Sequence, residues 1–224
     1  MKKIISIFIS AALCISLCAC GGGKKKAFAL SKQAYTDIHS AYELTENFGS
    51  DIYDAWYLGI FEDDEILDGG CKYLASELSL SEDELKDGVA YFVVSMSDDT
   101  TWETVTDEQK QKVRSLSDNI FLMYKDDLCS LCVALVSDAY IANGQADQIQ
   151  EYLNSAKSQM KDLSDKYSDY EHYPNLKGYY TTTNAFFDFC QNPTGSFEQV
   201  KTTINDYKNS ARDYKNDLSY VFDD

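Results

Sequence analysis

The sequence predicts an all-α protein, an elongated up-and-down helical bundle that forms a single domain. Apolar and aromatic residues recur in alternating steps of three and four, which keeps one seam of a helix facing its partner. At three expected helix starts, a Ser or Thr is followed three positions later by Glu or Gln, the capping box that begins a helix. The chain of 224 residues contains only two prolines. Long helices joined by short turns are typical of a bundle.

Five segments carry this coiled-coil-like spacing. They are Tyr35, Ile38, Tyr42, Thr45, Ile52 and Trp56; Val113, Leu116, Ile120, Phe121, Tyr124, Leu128, Leu131, Leu135 and Ala139; Ile149, Leu153, Ala156, Met160, Leu163, Tyr167 and Tyr170; Leu176, Tyr180, Thr183, Phe187 and Cys190; and Phe197, Val200, Ile204, Tyr207, Ala211, Tyr214, Leu218 and Val221.

Capping and breaking residues set the expected helix ends. The capping boxes are Ser81/Glu84, Thr106/Gln109 and Ser196/Gln199, while Asn143-Gly144, Pro174 and Pro193 interrupt helices. The stretch 89–94 also suits a strand, but the preceding capping box favours a helix. The expected helices are 30–61, 65–79, 82–97, 107–142, 146–172, 175–191 and 197–221.

The N-terminal segment has the character of a secretory signal. A basic start precedes an uncharged stretch, Ile4–Leu17, which is shorter than the about 20 residues of a transmembrane helix. The tail Leu17-Cys18-Ala19-Cys20 resembles the bacterial lipobox, although Cys18 stands where Ala, Ser or Thr is usual. The resemblance implies cleavage before Cys20 and a diacylglyceryl anchor on that residue, which would hold the protein on the extracytoplasmic face of the cell membrane.

The expected organisation follows from this resemblance. Residues 1–19 form the signal peptide, 20–29 the lipidated cysteine with a linker, and 30–224 the bundle. Gly21-Gly22-Gly23 reads as a flexible spacer, and Lys24-Lys25-Lys26 would lie beside the membrane, where lysines are attracted to anionic headgroups. A solvated linker is the alternative reading of the lysines.

The charge of the expected bundle is strongly negative. All 37 acidic residues but only 15 of the 20 basic ones follow residue 26, a formal charge of −22. Phosphates would be repelled, so nucleic acid is excluded as a partner. Such a surface favours solubility, or the binding of a protein or cationic partner.

The sequence predicts no catalytic residue, metal site or cofactor. His39 and His172 are the two histidines, and neither belongs to an HExxH or Glu-x-x-His motif. No phosphate-binding or nucleophile-elbow glycine motif is present. The acidic run that begins at Glu62 lacks the alternating oxygen ligands of a calcium loop.

Four cysteines follow the lipobox. Cys129 and Cys132 form a C-x-x-C pair, but the expected helix 107–142 places them mid-helix, away from the N-terminal dipole that activates redox thiols. The favoured interpretation is buried cysteine packed as a small apolar residue. The alternatives are a disulfide between Cys71 and Cys190, and a metal-binding or redox function of the cysteines.

Aromatic residues are abundant around Pro174. Helical spacing assigns Tyr167, Tyr170, Tyr180 and Phe187 to the core. It leaves four aromatic residues without a core assignment: Tyr173, Tyr179, Phe186 and Phe189. We predict that these four form a binding surface, with Tyr173 and Tyr179 offering ring faces while their hydroxyls stay hydrated.

The expected function is that of a non-enzymatic binding or scaffolding module. In type, the domain resembles the small helical surface lipoproteins of bacteria that have no assigned activity. The alternatives are a thiol-redox or metal protein that uses Cys129 and Cys132, and a solute-binding lipoprotein. The usual two-lobed solute-binding proteins need βαβ patterns, which the sequence lacks.

Overall fold

The computed structural model describes residues 22–97 and 101–223 and confirms the all-α prediction. Within these ranges the chain forms nine α-helices and one 3₁₀ turn, Lys125–Asp127, in one helical domain without strands. The helices are α1 Gly22–Phe61, α2 Asp63–Glu77, α3 Glu82–Ser95, α4 Asp107–Arg114, α5 Ser117–Met123, α6 Leu128–Ala142, α7 Gln145–Lys166, α8 Tyr173–Gln191 and α9 Phe197–Phe222.

Helix α1 is the axis against which most of the bundle packs. Its 40 residues span about 60 Å. It contacts α2, α6, α7, α8 and α9. Of the predicted seam, Tyr35, Ile38, Tyr42, Thr45 and Ile52 are buried, whereas Trp56 is half-buried.

Helices α6 and α7 follow each other along α1, and both run antiparallel to it. Helix α6 begins where Gly59 of α1 allows the two backbones to approach, and α7 passes Asp37, which accepts hydrogen bonds from Ser155 (2.7 Å) and Gln159 (2.8 Å). Gly144, with φ of 81°, joins the two helices without reversing the chain.

Helices α8 and α9 complete the up-and-down order. Tyr179 lies beside His39 and Phe186 beside Gly49, so α8 runs parallel to α1. Lys208 donates to Ser50 and Phe222 packs on Tyr35, so α9 runs antiparallel. The four long members of the bundle are therefore α1, the α6–α7 pair, α8 and α9.

The prediction of one helix over 107–142 is wrong. The chain instead forms α4, α5, the 3₁₀ turn and α6. This break lets α5 fold back on α2 and α3 and bury Ile120 and Phe121. Leu116 and Met123, by contrast, are 53% and 78% exposed. Apolar spacing continued through the break and could not reveal it.

All three predicted capping boxes are present. The backbone N–H groups of Ser81, Thr106 and Ser196 donate to Glu84, Gln109 and Gln199 at 2.8, 2.9 and 2.8 Å. The hydroxyl of each capping residue accepts the reciprocal bond. The cap at Ser81 therefore begins a helix, and the strand alternative for 89–94 is wrong.

The start of α1 differs from the predicted spacer. Gly22, Gly23 and the three lysines already belong to the helix. The expected signal segment 1–19 and the lipidation site Cys20 lie outside the described residues. None of the helices in the described ranges is long and apolar enough to cross a membrane.

Candidate binding groove

The predicted aromatic surface does not form, because two of its four residues are in the core. Tyr179 and Phe186 are completely buried. The Tyr179 ring packs against Tyr42 at 5.8 Å between centroids, and its hydroxyl lies 3.2 Å from Nδ1 of His39. Phe186 stacks on Tyr207 at 5.3 Å.

Tyr173 and Phe189 are half-buried but far apart. Tyr173 begins α8 and Phe189 lies near its end, about 24 Å away at the helical rise per residue. Phe189 packs on Tyr207, with ring centroids 6.1 Å apart. The four residues therefore share no common surface.

A concave site lies at the end of the bundle where α1 begins. It is a groove of about 890 Å³, within the range of ligand sites. We call it the α1-end groove. It is lined by Gly23, Lys24, Lys25, Ala27, Phe28, Lys166, Tyr167, Ser168, Asp169, Tyr170, Glu171, His172 and Val221.

The early end of α7 creates one wall of this groove. The predicted helix 146–172 stops at Lys166, and Tyr167 leaves helical geometry with φ of −144°. Two successive turns follow, in which the N–H groups of Tyr170 and Tyr173 donate at 3.0 Å to the carbonyls of Tyr167 and Tyr170. These turns project the connection between α7 and α8 beside the first turns of α1.

Aromatic rings join the walls of the groove. Phe222 of α9 contacts Phe28 of α1 and His172, with centroid distances of 5.6 and 6.0 Å. The His172 ring meets Tyr170 edge-on at 5.4 Å. Phe28 remains 42% exposed. The groove therefore offers apolar ring surface at its mouth.

The rim carries both signs of charge. Lys24 and Lys25 are exposed at the start of α1, and Lys166 makes an exposed pair with Asp162 at 3.1 Å. Asp169 and Glu171 lie on the opposite wall, where Glu171 is 3.5 Å from Nε2 of His172. Three lysines around one groove contrast with the net charge of −17 for the chain.

Comparisons with known protein families, curated proteins and solved structures find no match.

Sequence reasoning missed this groove for a specific reason. Tyr167 and Tyr170 continue the heptad spacing of α7, so they were assigned to the helix seam. The helix ends before both of them, and they line the groove. In contrast to Tyr167 and Tyr170, Tyr179 falls outside the heptad register and is buried. The polar stretch Ser164-Asp165-Lys166 does not mark this helix end, because the similar stretch Lys157-Ser158-Gln159 lies within α7.

The C-x-x-C pair lies at the start of α6, so the prediction of a mid-helix position is wrong. Its thiols nevertheless lack the features of a redox pair. Burial and the nearby Asp127 raise the pKa of Cys129 to about 11, and burial raises the pKa of Cys132 to about 12. The Cys129 Sγ donates to the Trp56 carbonyl at 3.8 Å. Both groups are therefore neutral thiols near pH 7.

The structure does not pair Cys71 with Cys190. Both side chains are fully buried, and the cysteines of the described ranges are thiols. The Cys71 thiol is close enough to Cys132 to help raise its pKa. Cys190 lies under Gly49 near Lys208. The predicted role of Cys71, Cys132 and Cys190 as buried apolar side chains matches their burial.

A second, smaller groove of about 340 Å³ lies between Trp56, α6 and Pro193. Asp138 and Cys129 line it. Burial raises the pKa of the Asp138 carboxyl to about 7. In the described part of the chain, no cluster of His, Cys, Asp and Glu side chains suits a metal ion.

Proposed function

We propose that the protein is a lipid-anchored extracytoplasmic lipoprotein whose helical bundle acts as a non-enzymatic binding module through the α1-end groove. One observation carries this proposal: the groove lies at the end of the bundle where helix α1 begins, two residues after Cys20 in the sequence. Helix α1 begins at Gly22, and two extended residues reach only about 7 Å. An anchor on Cys20 would therefore hold the groove beside the membrane surface.

The character of the groove supports binding. Exposed ring surface from Phe28 and half-buried Tyr167 and Tyr170 is combined with lysine ammonium groups. Aromatic faces with a few polar groups are typical of sites that hold a ligand. The raised thiol pKa values argue against the redox alternative, since a thiol-redox pair needs a thiolate.

The anchor is tested by expressing the full precursor in a bacterial host and measuring the mass of the N-terminal peptide. We expect a chain that begins at Cys20 and carries diacylglyceryl mass. The matched control is Cys18→Ala, which keeps the modified cysteine and restores the usual residue before Ala19. A chain that begins elsewhere, or that lacks acyl mass, contradicts the anchor.

A further inference from the structure

We propose that the α1-end groove seats anionic phospholipid headgroups, so that the bundle stands end-on against the membrane. The expected orientation rests on the anchor at Cys20, but the headgroup site itself does not. The ligand class is a phosphate ester at an apolar boundary, and the source to which we commit is the lipid surface itself.

Lysine side chains are concentrated at this end of the bundle, which suits an anionic surface. The chain has a net charge of −17, which repels such a surface. Lys24, Lys25 and Lys26 form an exposed run in the first turns of α1. Lys166 faces the same groove from α7. Lysine side chains near an anionic bilayer are attracted to its headgroups.

The apolar groups at the same end fit the boundary between headgroups and acyl chains. Phe28 on α1 is 42% exposed, and Tyr220 in the last turn of α9 is 88% exposed. Tyrosine rings prefer this interface, because one end of the side chain is apolar and the other is polar. Phe28 and Val221 line the groove, and Tyr220 directly precedes Val221 in the last turn of α9.

The acidic groups on the groove limit how a headgroup can enter. Asp169 and Glu171 lie in the connection between α7 and α8, across from the α1 lysines. The Glu171 carboxylate is held 3.5 Å from His172. A phosphate therefore binds near the three lysines that line the groove, Lys24 and Lys25 of α1 and Lys166 at the end of α7. The glycerol and upper acyl region then meet Phe28.

The proposal is tested by sedimentation with vesicles, using a chain that starts at Gly21 and carries no lipid. The described helices share one continuous core from Ala27 to Phe222, which this chain retains. We expect co-sedimentation with vesicles of phosphatidylglycerol and phosphatidylcholine mixed one to two, and none with pure phosphatidylcholine. Equal binding to both vesicles, or to neither, overturns the proposal.

Charge reversal separates the groove from the overall charge. The variant Lys24→Glu/Lys25→Glu/Lys166→Glu should bind at least tenfold more weakly, because three attractive contacts become repulsive. The matched control Lys72→Glu/Lys125→Glu/Lys157→Glu changes the net charge equally at exposed positions elsewhere. It should stay within about twofold of the wild type, because surface charges more than about 10 Å away are screened. Equal losses in the two variants contradict a headgroup site in the groove.

Two further measurements fix the source and the orientation. Glycerol 3-phosphate at millimolar concentration should not displace the protein from vesicles; displacement would identify a small-anion site and overturn the choice of a lipid surface.

For the lipidated full-length product, amine acetylation followed by mass spectrometry should show protection of Lys24 and Lys25 in anionic vesicles only. Failure of the anchor is read separately, from the N-terminal mass.

Discussion

The Tyr140 hydroxyl donates a 2.9 Å hydrogen bond to Oδ2 of Asp51, a carboxylate that is only 2% exposed. Ser79 donates to the same carboxylate through its N–H at 2.9 Å and its hydroxyl at 2.5 Å. The Tyr140 ring also stacks on Phe48 with centroids 4.1 Å apart. These contacts join α6, α1 and the connection after α2. A buried charge needs such donors to be tolerated in the core.

Tyr140→Phe removes one of these donors while it keeps the ring stack. We expect the free energy of unfolding to fall by about 1–3 kcal/mol, because the Asp51 carboxylate loses a charge-assisted hydrogen bond. Urea denaturation followed by circular dichroism measures the loss. Tyr220→Phe, at an exposed position, is the control and should leave stability unchanged. Equal stability of both variants would show that the bond contributes nothing.

The two tyrosines first assigned to one binding surface should behave oppositely. Tyr179→Ala removes a fully buried ring, and a cavity of this kind costs about 3–5 kcal/mol. Tyr173→Ala alters a half-buried ring at the start of α8 and should cost about 1 kcal/mol or less. Thermal unfolding of the two single variants gives the comparison. A larger loss for Tyr173 would contradict the packing described for α8.

The contrast between these residues shows what sequence could and could not predict. Local chemistry was readable: the capping residues Ser81, Thr106 and Ser196 begin α3, α4 and α9 as expected. The groove could not be predicted from the sequence. It depends on where α7 ends, and α1, the α7–α8 connection and α9 meet there only in the folded protein. Heptad spacing identifies the seam of a helix, but it does not show whether the helix continues to the last apolar residue in register, here Tyr170.

Asp138 should make stability depend on pH. Burial raises its folded pKa from 3.8 to about 7, so the native state holds a proton that the unfolded chain releases. The stabilisation from this bound proton is fully present below pH 3.8 and is lost as the pH rises through 7. Asp138→Asn mimics the neutral acid. We expect the stability of the variant relative to the wild type to rise by up to about 4 kcal/mol as the pH increases from 3.8 to 7, because each pKa unit is worth about 1.4 kcal/mol. Denaturation at several pH values tests this; a constant difference would contradict it.

The cysteines should react slowly while the protein is folded. The pKa values of Cys129 and Cys132 are raised to about 11 and 12, and the Cys71 and Cys190 side chains are fully buried. Iodoacetamide at neutral pH should modify Cys129 first and the other three only after urea is added.

Cys129→Ser/Cys132→Ser should lower stability and leave metal content unchanged. Stoichiometric zinc or iron that disappears in this variant would show a metal role.

The same Gly→Ala substitution should have opposite effects at two helical positions. A Cβ on Gly88 of α3 would lie 2.4 Å from the Leu135 carbonyl oxygen and 2.9 Å from the Ala139 nitrogen, both in the α6 backbone. The helices must separate to admit it, which costs about 1–3 kcal/mol. A Cβ on Gly23 of α1 meets nothing closer than 3.9 Å, so Gly23→Ala gains up to about 1 kcal/mol of helix propensity. Urea denaturation of both variants measures the pair. If Gly88→Ala is as stable as Gly23→Ala, α3 and α6 do not approach each other as closely as the structure shows.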